Sequence, residues 1–389
     1  MNVLQICHKP PVPSKDGGCL AMDAITQGLL SKNVSIKVLT ISTPKHTFNI
    51  ELIDKQYIKN TRIESVFKNT DLHPKDALIS LLKGQSYNVS RFYDKDFETL
   101  VTSTIAKEHF DIVHLESIFV LPYLDSIREC FAGKIVLRTH NVEHHIWKNL
   151  SINERNPIKK KYLKILAQQL KKYESVRLSE VDGIVSISDN DTDVFTAMGC
   201  NNSIKTVPFG ISIEPLQKVN NKGLFFLGSL DWQPNIEGVN WLSKMVSSAL
   251  ESKVNIVGRN PSKEIMMSDN LILKGEVDDA QQFMKENGIM LVPLFSGSGI
   301  RIKILEAMAW GIPVVATPKA VEGLGVESGR HMLITDDPAQ FANFANQLLK
   351  DKNRAEQLVQ NAYEFVQENY NNNRLTKNLI AFYNQLLIE

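Results

Sequence analysis

Short apolar runs alternate along this chain with stretches whose apolar residues recur at helical spacing. In the first half the runs are Val3 to Cys7, Ile36 to Ile41, Ile112 to Leu115, Ile135 to Leu137, Gly183 to Ile187 and Ile204 to Val207. Runs this short with little polar alternation suit strands buried on both faces, and helical segments between them make βαβ units with a parallel sheet. After Pro208-Phe-Gly-Ile-Ser-Ile-Glu-Pro215 and the polar stretch Gln217 to Lys222, a second series begins. Its strands are Leu224 to Leu227, Val254 to Val257, Leu271 to Leu273, Ile289 to Val292, Val314 to Ala316 and Met332 to Ile334. The pattern predicts two doubly wound α/β domains, residues 1–208 and 209–371, joined by a hinge at Pro208 to Pro215. Residues from Thr43 to about Lys95 are poorly periodic and carry no assignment.

The richest segment runs from Leu291 to Thr317 and reads as strand, glycine loop, cationic helix start, glycine stop and second strand. Gly297 and Gly299 let the backbone come close to a ligand, the new helix presents unpaired N–H groups, and Arg301 and Lys303 add positive charge. A phosphate is the natural guest. Lys303 and Glu306 share one helical face, whereas Arg301 and Lys303 diverge, which puts Arg301 at the loop edge. The cations would hold a diphosphate, and the Glu306 carboxylate would accept two hydroxyl hydrogen bonds from a ribose. Ile302, Leu305 and Ala309 form the expected inward stripe, and Gly311 with Pro313 ends the helix. A plain surface helix solvated by Arg, Lys and Glu is the alternative.

Leu305-Glu-Ala-Met-Ala-Trp-Gly-Ile-Pro-Val-Val-Ala-Thr317 resembles the nucleotide-binding motif of retaining glycosyltransferases with the two-domain GT-B fold, the glycosyl transferases group one family. A branch of that family carries the same Gly-Ser-Gly-x-Arg-x-Lys loop. The resemblance implies two Rossmann-like domains facing across a cleft, with a C-terminal helix, about 372–389, packing back on the first. Glu306 matches the ribose glutamate, but the family's first glutamate, which touches the donor sugar, is replaced by Ser298. Ser229 and Asn235 stand where many members carry a diphosphate-binding arginine and lysine, so Arg301 and Lys303 are expected to supply that charge where it develops on the leaving group. Gly297, Ser298, Gly299 and Ile300 form the donor loop, Arg259 follows a strand end within reach of base or phosphates, and Val277 belongs to the base-contacting turn.

In the first half, His8-Lys-Pro-Pro-Val-Pro-Ser-Lys-Asp-Gly-Gly-Cys19 links the first strand to a helix that Gly17 and Gly18 open, running to about Ser31. A strand-to-helix turn accounts for it; the resemblance implies a glycine loop that meets the donor diphosphate. Arg138-Thr-His-Asn-Val-Glu-His-His145 follows the Ile135 to Leu137 strand. His140 matches the family's histidine beside the reacting sugar, with Glu143 near enough to join an acceptor or donor contact, although helix capping also explains such residues. His140 and His144 have metal-pair spacing but lack a third ligand at recognisable spacing. Ser186-Ile-Ser-Asp-Asn-Asp-Thr-Asp193 contains a D-x-D pattern, which Ser188 and Asp191 explain as a capping box. No metal and no cofactor are expected.

Composition narrows the class. At 389 residues, with 43% hydrophobic and 22% charged residues, the chain reads as soluble and globular. A net charge of +1 excludes a bulk nucleic-acid binder. Cys7, Cys19, Cys130 and Cys200 are scattered, which suits a reducing cytoplasm. Met1 to Cys7 reads as a strand, not a signal peptide. Between Arg155 and Arg177, six lysines (159, 160, 161, 164, 171 and 172) accompany Leu163, Leu166 and Leu170 at helical spacing. That helix is either solvated or laid against anionic lipid at the inner face of the plasma membrane.

The expected reaction is metal-independent transfer of a sugar from a nucleotide diphosphate donor, UDP before GDP, to a glycan or lipid-linked acceptor hydroxyl, with retention implied by the resemblance. Epimerase, phosphorylase and non-catalytic sugar-binding homologues are the rivals. A redox dinucleotide enzyme is disfavoured because the first loop lacks G-x-G-x-x-G.

Overall fold

The computed structural model describes the chain except residues 74, 76–78, 81–85, 217, 298 and 299. It divides into two compact units: Met1–Gly210 with Asn372–Glu389, and Ile211–Asn371.

The first unit is built on β1 (Asn2–Cys7), β2 (Ser35–Ser42), β3 (Glu64–Phe67), β4 (Ile112–Glu116), β5 (Lys134–Arg138), β6 (Gly183–Ser186) and β7 (Ser203–Thr206). They pair in the order β3-β2-β1-β4-β5-β6-β7, all in parallel. Strand β3 lies in the stretch to which periodicity assigned nothing, because Glu-Ser-Val-Phe is a half-exposed edge strand and lacks a buried run. β1 is flanked by β2 and β4, with Val3 in register with both Ile36 and Ile112. The order of connection reverses between β1 and β4, and parallel sheets of this kind open a crevice at the carboxyl ends of such strands.

Helix Asn372–Ile388 belongs to this unit. Its Leu375, Leu379, Phe382, Tyr383 and Leu386 join a core with Val3, Met22, Ile25, Leu29 and Ile36. Close approach depends on Gly28, where a Cβ would stand 2.1 Å from Thr376 Oγ1.

The second unit contains β8 (Leu224–Leu227), β9 (Val254–Val257), β10 (Leu271–Gly275), β11 (Ile289–Val292), β12 (Val314–Ala316) and β13 (Leu333–Ile334), in the order β10-β9-β8-β11-β12-β13. All five pairings are parallel, and the connection reverses between β8 and β11. The helix after β11 runs from Ile302 to Ala309. Its buried face is broader than the expected stripe: Ile304, Leu305, Ala307, Met308 and Ala309 are buried, while Ile302 is only half-buried. The helix packs against the helix Lys352–Asn369 as well as β12, so only a narrow side reaches the surface. Gly311, at φ +76°, stops it, and Ile312 N–H donates back to Ala307 O at 2.9 Å.

Candidate functional site

The carboxyl ends of β1, β4 and β5 carry a buried polar cluster. Glu116, the last residue of β4, is completely buried. Its Oε1 accepts from Gln5 Nε2 at 2.9 Å and lies 3.2 Å from His114 Nε2. Its Oε2 accepts from Arg138 Nη1 at 3.3 Å and lies 2.8 Å from His140 Nε2. Burial works against the charge on Glu116, but Arg138, His114 and His140 overcome it and hold the carboxyl well below its usual range. His140 follows β5, and desolvation pulls its pKa down despite the Glu116 contact, so the ring is neutral near pH 7. His8, just after β1, packs edge-on to His140 at 5.5 Å between ring centroids and brings Nδ1 to 3.1 Å from the Glu116 carbonyl oxygen. Phe92 and Phe119 stack at 4.8 Å beside His8 and wall the same corner.

A second buried carboxylate lies one helix away. Glu174, on the helix Pro157–Arg177, accepts from the backbone N–H of Glu143 at 2.9 Å and of His144 at 3.1 Å, and lies 2.6 Å from His144 Nδ1. It therefore caps the helix Glu143–Asn153, whose amide dipoles favour a negative charge there. Glu143 is buried next to it, and desolvation followed by the Glu174 charge pushes the Glu143 carboxyl up to about 7. His140 and His144 thus face different carboxylates and do not form one ligand pair. Ser188 Oγ accepts from Asp191 N–H at 3.2 Å, the capping geometry expected of that segment.

Gly17 and Gly18 open the helix Gly17–Ser31. Asp16 caps it, accepting from Cys19 N–H at 3.0 Å, and its other oxygen meets Lys9 Nζ at 2.7 Å and His46 Nε2 at 2.9 Å. A Cβ on Gly18 would stand 2.8 Å from Lys9 Nζ, so the glycine makes room for that ammonium. Asp16, Cys19 and His46 bring ligand atoms within 4.8 Å of one another, but Lys9 already neutralises the carboxylate, which disfavours a further cation.

In the second unit the predicted donor residues gather at the ends of β8, β9 and β11. Gly297 has φ +93°, and a Cβ there would lie 2.9 Å from Arg301 Nη2 and 3.0 Å from Trp232 Cη2. The glycine is required both by its backbone and by the guanidinium, which sits 5.6 Å from the Trp232 ring centroid and donates to Ser296 O at 3.3 Å. Arg301 is the residue at which the Ile302–Ala309 helix starts. Ile300 is half-buried beside it; Ser298 and Gly299 lie outside the described residues.

Lys303 reaches solvent, yet surrounding atoms crowd it enough to lower its pKa, with Glu306 opposing and Arg259 adding to the shift. Arg259, after β9, and Lys303, after β11, thus act on each other as like charges, an arrangement that a bound anion stabilises. Desolvation raises Glu306 to about 7 against the pull of Lys303. Ser229 Oγ donates to Asp231 Oδ1 at 2.6 Å, and Asn235 Nδ2 donates to Ser229 O at 2.8 Å. Those two residues brace the loop after β8. Gly258 is packed against it, since a Cβ would fall 1.7 Å from Gly228 O. Val277, half-buried, follows the β10 end in the loop before Ala280.

Sequence reasoning missed Glu116, His114, His8 and Glu174. A signal for the first two was present: His114 and Glu116 alternate at the end of a strand, so both point to one face, and the apolar run was cut one residue short.

Residues 221–351 match the family model described as Glycosyl transferases group 1. A Klebsiella pneumoniae protein described as an uncharacterized 44.6 kDa protein in the cps region is 27% identical over 290 residues, 68% of this chain and 72% of that one. Among solved structures, sucrose-phosphate synthase from Thermosynechococcus elongatus superposes with a TM-score of 0.72 at 14% identity, covering 100% of both chains. Anabaena HepE in complex with UDP gives 0.65 at 12% identity, covering 99% of this chain and 100% of that one. A mutant of S. aureus TarM in complex with fondaparinux, α-GlcNAc-glycerol and UDP gives 0.67 at 12% identity, covering 98% and 99%. At such identities the structures share the fold, which is GT-B. Residues 221–351 thus match a glycosyl transferases group 1 domain, within a chain whose fold is GT-B.

Proposed function

We propose that this protein is a retaining, metal-independent glycosyltransferase that moves a sugar from a nucleotide diphosphate donor, UDP first and GDP second, to an acceptor hydroxyl during glycan or polysaccharide assembly. The observation that carries the reading is the grouping of Arg301 and Lys303 at the start of the helix after β11 with Glu306 one turn on, and Arg259 acting on Lys303 from the β9 end. Cations at a helix start suit a diphosphate, and a carboxylate one turn on suits a ribose. By sequence, Gly297, Ser298, Gly299 and Ile300 would let the backbone approach the donor, with Ser229 and Val277 bordering it. His140 stands beside the reacting sugar. Solved neighbours support the donor class: HepE was solved with UDP, and TarM with UDP and a glycosyl-glycerol. The cps region named for the Klebsiella relative favours polysaccharide assembly.

No helix among the described residues is long and apolar enough to cross a membrane. Peripheral contact with anionic lipid at the inner face of the plasma membrane, through 155–177, is supported by exposed Leu150, Ile152 and Ile158 next to exposed Lys159, Lys160 and Lys161. Incubation with UDP- and GDP-sugars, with and without EDTA, tests the donor and metal assignments through thermal stabilisation and donor turnover. The anomeric configuration of the product, read by NMR, tests retention. Turnover abolished by EDTA, or an inverted product, would overturn the corresponding part.

A further inference from the structure

Glu116 is surrounded by donors. A carboxylate offers about four acceptor positions, and here Gln5, His114, Arg138 and His140 each direct a nitrogen at one of its two oxygens. Glu116, Gln5 and His114 are fully buried and Arg138 is 1% exposed, whereas the His140 side chain keeps 13% exposure. The nitrogen of His140 that meets Glu116 is Nε2, and an ionised carboxylate can only accept. In a neutral ring that donates from Nε2, the lone pair is on Nδ1. Behind Glu116 the chain of contacts continues: His114 Nδ1 lies 2.7 Å from Tyr383 Oη, and Tyr383 belongs to the C-terminal helix. The ring of His114 thus spans the carboxylate on one side and a residue 269 positions away on the other.

We infer that Glu116 is the positioning residue of the His140 site: it fixes His140 as the Nε2–H tautomer with Nδ1 as the acceptor nitrogen, and it is itself held in place through His114 by Tyr383 of the C-terminal helix. The role of His140 at the sugar rests on the reading given under Proposed function; its tautomer does not. A ring held this way turns a fixed lone pair toward a hydroxyl and needs no reorganisation when the substrate arrives, which is where preorganised groups gain their effect. The charged groups that also act on the ring, Lys9 and Arg138, are cations with no acceptor to offer Nε2, and His8 packs on it edge-on at 5.5 Å between centroids.

The test uses the full chain labelled with 15N-histidine, with His140 assigned by its absence in His140→Asn. Long-range 1H–15N correlations should report a protonated Nε2 and an unprotonated Nδ1 that stay unchanged from about pH 6.5 to 8.5. A protonated Nδ1, or a doubly protonated ring across that range, overturns the inference. Glu116→Gln should place an amide N–H₂ opposite two donors, mix the tautomers and lower kcat about tenfold or more, with donor KM changed less than about threefold. Because that variant leaves Arg138 buried without its partner and can unfold, Tyr383→Phe is the second probe. It keeps every charge, should shift the His114 signals, and should lower kcat about two- to fivefold. Full kcat per folded molecule in both variants would show a structural role only. An inactive wild type with the stated tautomer would sink the transferase reading alone, whereas an active wild type with the other tautomer would sink this inference alone.

Discussion

Glu143→Gln should make the protein more stable, and by an amount that depends on pH. Glu143 is 8% exposed, faces the Glu174 charge, and has its carboxyl raised from 4.5 to about 7. The folded chain therefore binds this proton more tightly than the unfolded chain does. The stability that accompanies neutral Glu143 is complete below about pH 4.5 and is lost as the pH rises through about 7. At 1.36 kcal/mol per tenfold, the full loss is roughly 3 kcal/mol. Glutamine keeps the Oε1 acceptor that faces Asn141 Nδ2 at 3.4 Å and removes the charge. The variant should accordingly exceed the parent by about 3 kcal/mol at pH 8 and by less than about 1 kcal/mol at pH 5. For a unit of this size that corresponds to a Tm rise on the order of 5–10 °C at pH 8. Urea and thermal denaturation at both pH values measure it. A gain that is equal at the two pH values, or a loss at pH 8, would refute the reasoning, because neither follows from a carboxyl held neutral by burial. An ionisable group kept where it costs stability points to use in the reaction. Turnover that falls while Tm rises would mark Glu143 as a substrate contact beside His140.

Other predictions concern the second unit. Arg301→Ala and Lys303→Ala should each lower donor turnover by on the order of 100-fold with an unchanged circular dichroism spectrum; near-normal kinetics in both would remove the diphosphate assignment. Glu306 is raised to about 7 by burial, with Lys303 as its charged neighbour, so affinity for a UDP-sugar, whose phosphates do not titrate near neutrality, should rise between pH 6 and 8 as the carboxylate forms. Calorimetry should find that rise in the parent and a flat profile in Glu306→Gln. Gly258→Ala forces a Cβ to 1.7 Å from the Gly228 carbonyl, and neither backbone can yield without parting β8 from β9. A destabilisation of at least 1–3 kcal/mol in denaturant is expected, and an unaltered midpoint would contradict the packing described here.

Much of this molecule is written locally. Strands such as Leu224–Leu227 and Val254–Val257 are apolar from end to end because both faces of a parallel sheet are covered, and that requirement shows in four residues without knowledge of neighbours. The grouping of Gly297, Arg301, Lys303 and Glu306 is equally local, since these residues are near one another in sequence, and Gly311 stops the helix through its own φ. By contrast, the half-exposed edge strand Glu64–Phe67 had no apolar run to announce it. Trp232 beside Arg301, and Arg259 beside Lys303, come from separate loops brought together at the strand ends. The Glu116 cluster shows the limit most clearly. Its members stand at positions 5, 114, 116, 138, 140 and 383, and no spacing rule relates them. They meet because β1, β4 and β5 are adjacent and in parallel register, which aligns their carboxyl ends, and because the last helix returns to the first unit. Apolar periodicity is an energy paid residue by residue and is visible in sequence; the pairing of a buried charge is a property of the chain's path, and only the folded path determines it.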